Sequence, residues 1–400
     1  MEPSSPILGW TIKVQPPNLR KIKSMNKLRL SIFALCALST LAHAQVYSPI
    51  VGFNTITALG NSDTRFSVPL HRPSVYEGLV QSVSGSVITV QGLPGWILNQ
   101  FVYSAGSQTN SYYASVRSGN KEGMYYTVTA NSADSGTTNT STLNVDTAGD
   151  VIDGGGIAQG DSLTIIPYWT LATLFSNQTG VTTTSSISGA GSLTRILIPD
   201  LTSSGVDLAA TVSYYYYNGT GFGGAGWRRS GGGFTNKKDD DAIAPDSFIL
   251  IRQDGVASSS IMTATGAVGT GDRRYIIGTI SPNTAQDNAI AIDIPVPLSL
   301  TQSNLFESGA FVGTSSISGA TGDKLLVFDD ASAGIDKAAI KSYYYYTGTG
   351  FTGPGWRLQG GGFSSIRNAE FVFQPGSGYI IRKEGTAVAT TTVWTIPTTF

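Results

Sequence analysis

Ser213-Tyr214-Tyr215-Tyr216-Tyr217-Asn218-Gly219-Thr220-Gly221-Phe222 runs on through Trp227-Arg228 to Gly231-Gly232-Gly233-Phe234. The stretch returns as Ser342-Tyr343-Tyr344-Tyr345-Tyr346-Thr347-Gly348-Thr349-Gly350-Phe351, followed by Trp356-Arg357 and Gly360-Gly361-Gly362-Phe363. Of its 22 positions 17 are identical, which marks an internal duplication. The likeness extends outward. Leu174-Phe175 matches Leu305-Phe306, and Ile187-Ser188-Gly189 matches Ile317-Ser318-Gly319. Phe248-Ile249-Leu250-Ile251-Arg252 matches the segment ending Tyr379-Ile380-Ile381-Arg382, and Gly255 matches Gly385. A spacing of roughly 130 residues is too long for a solenoid repeat and suits one globular unit per copy. The expected units are residues 161–286 and 287–400.

Four tyrosines in a row, closed by Asn218-Gly219 or by Thr347-Gly348-Thr349-Gly350, predict a strand and the turn of a β-hairpin whose return strand carries Trp-Arg. Side chains alternate along a strand, so Tyr214 and Tyr216 share one face and Tyr215 and Tyr217 the other. With one face in the core, at least two tyrosines per unit are expected to be partly exposed. A ladder of exposed rings stacks well on sugar rings. The candidate binding platform is therefore Tyr214, Tyr215, Tyr216, Tyr217 and Trp227 with Tyr343, Tyr344, Tyr345, Tyr346 and Trp356. The competing reading is structural: a two-sided strand whose phenols reach the rim, a place that amphipathic tyrosine tolerates. The tryptophans are expected as core anchors, with Arg228 and Arg357 facing water. Gly-Gly-Gly permits a bulge but lacks the lysine and helix of a phosphate loop.

Residues 45–160 read as a separate N-terminal β-domain, with a hairpin over Leu79–Val90 turning at Ser84-Gly85-Ser86. Asp63 stands six residues before Pro69 and Asp161 six before Pro167, which suggests a shared element at the start of successive units. One turn of helix is expected near Trp169–Phe175. The fold class is thus all-β: an N-terminal β-domain followed by two duplicated β-sandwich-like domains.

Lys27 and Arg29 precede an apolar run from Leu30 to Leu41 and then Ala42-His43-Ala44, the order of a secretory signal cleaved after Ala44. Met25 is the expected start, so residues 1–44 form an upstream extension plus signal. The single cysteine, Cys36, falls inside it, so the mature chain is expected to carry no disulfide and no thiol ligand. From Gln45 onward 19 Lys and Arg face 25 Asp and Glu, a net charge near −6 that disfavours a nucleic-acid partner. No later stretch is apolar for long enough to span a membrane as a helix. Export places the protein in the periplasm, on the outer surface or outside the cell.

No cofactor, metal site or catalytic residue is expected. His71 is the one histidine outside the signal, and no G-x-S-x-G elbow accompanies it. Asp146, Asp150, Asp153 and Asp161 around Gly154-Gly155-Gly156 offer oxygens to Ca²⁺, but their spacing fits no calcium loop, so turn formation explains them better. Lys237-Lys238-Asp239-Asp240-Asp241 reads as a solvated loop.

Ser67-Val68-Pro69-Leu70-His71-Arg72-Pro73, Gly95-Trp96 with Phe101-Val102-Tyr103, Glu122-Gly123-Met124-Tyr125-Tyr126-Thr127-Val128, Ile166-Pro167-Tyr168-Trp169-Thr170-Leu171, the tyrosine runs and Leu325-Leu326-Val327-Phe328-Asp329 form one further pattern. In it the chain resembles a family of secreted, paralogous proteins of Planctomycetes–Verrucomicrobia-type bacteria. That family has no assigned activity, so the resemblance implies export and a Gram-negative-type envelope and carries over no site residues. The expected function is a non-catalytic surface or matrix protein that binds polysaccharide through the tyrosine hairpins. The alternatives are a secreted hydrolase acting on polysaccharide and a structural protein that self-associates in the envelope.

Overall fold

Strands are the dominant regular structure of the computed structural model, which describes residues 50–136 and 140–397; the signal segment lies outside the described residues. In chain order they begin with β1 (Val51–Ala58) and β2 (Asp63–Phe66). Next come β3 (Tyr76–Ser84), β4 (Val87–Gln91), β5 (Tyr112–Val116), β6 (Tyr125–Asn131), β7 (Thr140–Asp146) and β8 (Ser162–Pro167). After β9 (Trp169–Thr170) comes a single helical turn, α1 (Leu171–Leu174), where one was expected, capped by Thr170 and Thr173. Then follow β10 (Leu193–Ile198), β11 (Val212–Tyr217), β12 (Gly226–Arg229), β13 (Ala242–Ile243), β14 (Ile249–Asp254) and β15 (Ser260–Ala267). The chain continues with β16 (Arg273–Gly278), β17 (Gln286–Ala291), β18 (Leu298–Ser299), β19 (Lys324–Val327) and β20 (Lys341–Tyr346). It ends on β21 (Gly355–Leu358), β22 (Phe371–Phe373), β23 (Gly378–Lys383) and β24 (Thr391–Ile396).

Two five-stranded sheets have the same order, β12-β11-β10-β14-β2 and β21-β20-β19-β23-β17. The tyrosine strand lies second from one edge in each, and its register is the same: Tyr216 opposite Trp227, Tyr345 opposite Trp356. Beside each sheet runs a two-stranded ribbon, β1 with β15 and β16 with β24. Ala58, Met262 and Ala264 of the first ribbon share one core with Phe66, Ile196, Trp227 and Ile251 of the first sheet. Tyr275, Ile277, Trp394 and Ile396 do the same for Leu325, Tyr343, Trp356 and Ile381 of the second.

This pairing moves the expected boundaries. β1 and β2 fall within the expected domain of residues 45–160, yet they pair with β15 and β14, so the first sheet draws on both sides of a long excursion. Within that excursion β3-β4-β7-β6-β5-β8 close into a six-stranded antiparallel barrel, and β8 carries it past the expected end at residue 160. Likewise β16 pairs with β24 at the far end of the chain, so a division at 286/287 cuts through the second ribbon and sheet. The partners stand about 200 or 120 residues apart, and such pairing leaves no local trace. The counterpart of Asp63 is accordingly Asp287 on β17 and not Asp161, which accepts from Ala158 N–H in a turn.

The two sheets are joined reciprocally. Asp63 on β2 faces Arg252 on β14 through two bonds of 2.7 Å, and Arg252 continues to Asp336 in the loop after β19. Asp287 on β17 faces Arg382 on β23 at 2.7 and 2.9 Å, and Arg382 continues to Asp207 in the loop after β10. Asp336 N–H donates to Asp63 and Asp207 N–H to Asp287, each at 2.8 Å. Each half thus clamps a loop of the other with the same four groups. Replacing Asp287 by Ala leaves Arg382 with Asp207 alone and the Asp207 N–H without its acceptor; the expected loss is roughly 3–5 kcal/mol, read from the urea midpoint.

Burial also holds phenols neutral. Tyr168 and Tyr379 are each pushed up to about 12, by desolvation in both cases. Tyr214 and Tyr343 are raised by burial and by bonding to Asp241 and Glu370. A raised folded-state pKa contributes stability that is complete below the free phenol's 10.0 and is lost as pH rises through the folded value. Phenolate absorbance is therefore expected to lag that of free tyrosine and then rise together with loss of the folded near-ultraviolet circular dichroism.

Candidate functional site

Between β11 and β12 the chain makes a glycine-rich tip in which Phe222 adopts φ 54°, followed by Gly223 at 84° and Gly224 at 80°. Between β20 and β21 Phe351 adopts φ 52°, followed by Thr352 at 75° and Gly353 at 82°. A bulky side chain in this left-handed region costs on the order of 1 kcal/mol and persists only where its surroundings impose it. What imposes it is a buried arginine.

Arg228 is 1% exposed, and its guanidinium donates to backbone carbonyls: Nε to Phe234 at 3.0 Å, Nη1 to Trp227 at 3.1 Å, Nη2 to Gly224 at 2.7 Å and Phe222 at 3.3 Å. Arg357, equally buried, repeats the set with Phe363, Trp356, Gly353 and Phe351 at 3.0, 3.2, 2.7 and 3.1 Å. Tyr217 and Tyr346 lie against the two cations at 5.7 and 5.6 Å. The expectation that these arginines face water is therefore corrected. Five fixed N–H donors suit a ring of convergent carbonyls, and the buried charge is spread over them.

Pulling in the carbonyls turns the phenylalanine rings outward. Phe222 and Phe234 are 52% and 51% exposed, Phe351 and Phe363 56% and 51%. In both copies the paired rings are 6.3 Å apart and edge to face. The same pair of exposed apolar rings is thus held alike in two places.

The ten residues expected as a platform are brought together, but inside. Trp227 and Trp356 are fully buried, as are Tyr214, Tyr215, Tyr217, Tyr343, Tyr344 and Tyr346. Tyr216 and Tyr345 are half-buried, packed edge-on to the tryptophans, and Tyr345 also stacks on Phe306. The outer face is covered too. Tyr215 donates to Ile187 O and Tyr344 to Ile317 O, through the loops that precede β10 and β19. The loop at residues 237–241 is structural rather than merely solvated: Asp239 accepts from Trp227 N–H at 2.8 Å and Asp241 from Tyr214 at 2.7 Å. Asn368 and Glu370 take these places in the second copy. The phenylalanines closed each quoted stretch without being singled out. Their signal was an aromatic flanked only by glycine, threonine and other turn residues, with no alternating pattern to bury it.

A second feature lies where the barrel meets both sheets. Two hollows of about 240 and 250 Å³ share Asp246 and Ile276 in their walls. Burial raises the Asp246 carboxyl above the ordinary aspartate range, although the Tyr125 phenol bonded to it pulls the other way. Nearby Asp293 is committed to Arg273 at 2.8 Å and Tyr275 at 2.5 Å, and burial lowers the His71 imidazole. Asp287, in the first hollow, is held by Arg382, and Asp146, in the second, caps Ala148 N–H at 2.9 Å. The aspartates around Gly154-Gly155-Gly156 serve turns and side chains: Asp150 takes Lys121 and Tyr126, and Asp153 takes Gly85 N–H.

No family model, curated protein or solved structure matches this chain.

Arg357→Lys retains the charge but not the planar fork, so it leaves two or more carbonyls of the tip without a donor. The variant should lose about 2–3 kcal/mol of stability by urea titration and expose the Phe351–Phe363 tip to limited proteolysis.

Proposed function

We propose that the chain is an exported, non-catalytic surface or matrix protein that holds polysaccharide through the Phe222–Phe234 and Phe351–Phe363 pairs. The observation that carries this reading is the fixed, outward presentation of the same two rings in both copies by a buried arginine. The tips are bordered by Gly, Thr, Ser and Asn, which leaves the ring faces and edges open to the C–H faces of sugar rings. Two such tips in one chain suit an extended polymer, because the second contact becomes intramolecular once the first is made. The same reading takes the two sheets with their ribbons as duplicated sandwich-like units, the barrel being carried within the first. Export rests on the basic, apolar, A-x-A order of the N-terminal segment.

A glycan array and co-sedimentation with insoluble polysaccharide, using residues 45–400, test this. Phe222→Ser with Phe234→Ser should weaken binding about tenfold or more, as should Phe351→Ser with Phe363→Ser, and the quadruple variant should not bind. A wild type that binds no polysaccharide, or a quadruple variant that binds as well as the wild type, sinks the reading. A hydrolase reading draws on Asp246 alone. It requires release of reducing ends by the wild type and its loss in Asp246→Asn.

A further inference from the structure

Tyr379, Ile381 and Lys383 alternate along β23 and are all buried, so a lysine occupies an inward position of a core strand. Its side chain is 3% exposed and that of Asp323, just before β19, is 1% exposed. Lys383 Nζ donates to Asp323 Oδ2 and, at 2.7 Å, to Ala310 O. The carboxyl is gripped by backbone as well: Val312 N–H donates to Oδ2 at 2.7 Å and Glu384 N–H to Oδ1 at 2.9 Å. At the corresponding place in the first sheet the buried pair is neutral, with Thr194 Oγ1 donating to Gln253 Oε1 at 2.7 Å. A neutral pair satisfies that position, so the fold itself does not demand two charges there.

We propose that Lys383 and Asp323 join through an amide bond between Nζ and Cγ, an internal cross-link between the β19 and β23 strands. The atoms balance without an oxidant or any further reagent. One ammonium proton passes to Oδ2, which removes both buried charges and leaves a neutral amine beside a neutral acid. Nζ attacks Cγ, and the charge that develops on Oδ1 is met by Glu384 N–H in the manner of an oxyanion site. A second proton goes from Nζ to Oδ2, the Cγ–Oδ2 bond breaks, and one water leaves. Nζ keeps its third hydrogen as the amide N–H. Ala310 O holds the nitrogen in place throughout, and the surrounding core of Leu325, Ile381 and Phe311 keeps bulk water from reversing the step. Thr194 and Gln253 lack the amine, so only the second sheet is cross-linked. The closed loop of roughly 60 residues contains β20, β21 and the Phe351–Phe363 tip, in a chain whose only cysteine is Cys36.

Intact mass of the denatured protein decides the matter. The expected value is about 18 Da below that of the full composition, one water, with a branched proteolytic peptide that contains both Lys383 and Asp323. Lys383→Arg should restore the full mass, and Asp323→Asn should lose about 17 Da, ammonia in place of water. A wild-type mass equal to the composition overturns the proposal. So does the same deficit in Lys383→Arg, which would place the loss elsewhere, for instance in a cyclised Asp153-Gly154 or Asp254-Gly255. Should the variants fail to fold, the wild-type peptide map alone settles it: a branched peptide supports the bond, and two linear peptides carrying Lys383 and Asp323 rule it out.

Discussion

Asp63 opposite Arg252, and Asp287 opposite Arg382, are the contacts on which the architecture hangs. Each is a cross-strand pair that sets the register of an edge strand, β2 or β17, against its neighbour, β14 or β23. Each arginine then reaches into the other half for Asp336 or Asp207, so strand pairing and the junction of the halves are secured by the same guanidinium. The aspartates are nearly buried, and with three bonds converging on each carboxylate the desolvation cost is offset. Because β2 is held this firmly, the chain can leave the first sheet, build a whole barrel and return to the sheet at β10. Loop-closure entropy grows only logarithmically, about 0.6 kcal/mol per doubling of length, so an inserted barrel costs little beyond a short connection.

A second regularity is polar chemistry at buried strand positions, on either face of the sheets. Arg228 and Arg357 are neutralised by carbonyls, Thr194 and Gln253 by each other, and Lys383 by Asp323. Each buried group has hydrogen-bond partners, and each links the sheet to a loop or to a neighbouring strand. Apolar residues at these positions would bury more surface but would hold no loop. In the tips this matters most, because the strained φ of Phe222 and Phe351 lies where hydrogen bonds converge on one cation.

Much was legible beforehand. The tyrosine hairpins, their turns, the single helical turn at Leu171–Leu174 and the tryptophan anchors follow from alternation and turn chemistry, which act within a few residues. The boundaries were not legible, because β1 and β2 find their partners after the barrel has intervened. The candidate site was half legible. The exposed phenylalanines lie in the same stretches as the eight tyrosines that alternation singles out, and alternation puts Arg228 and Arg357 on the face opposite the tryptophans without showing that loops bury them there.

Period-two alternation states which side chains share a face, and on its own this sequence determined strands, turns and a repeated hairpin. It does not state whether a second layer covers that face. Here the ribbons cover one face of each tyrosine strand and the loops bearing Ile187 and Ile317 cap phenols on the other. Only the tertiary structure decided that the tyrosines would be core, that two arginines would be buried with them, and that phenylalanines in glycine-rich turns would carry the exposed aromatic surface. Exposure depends on what packs against a segment from elsewhere in the chain, and that information is not local.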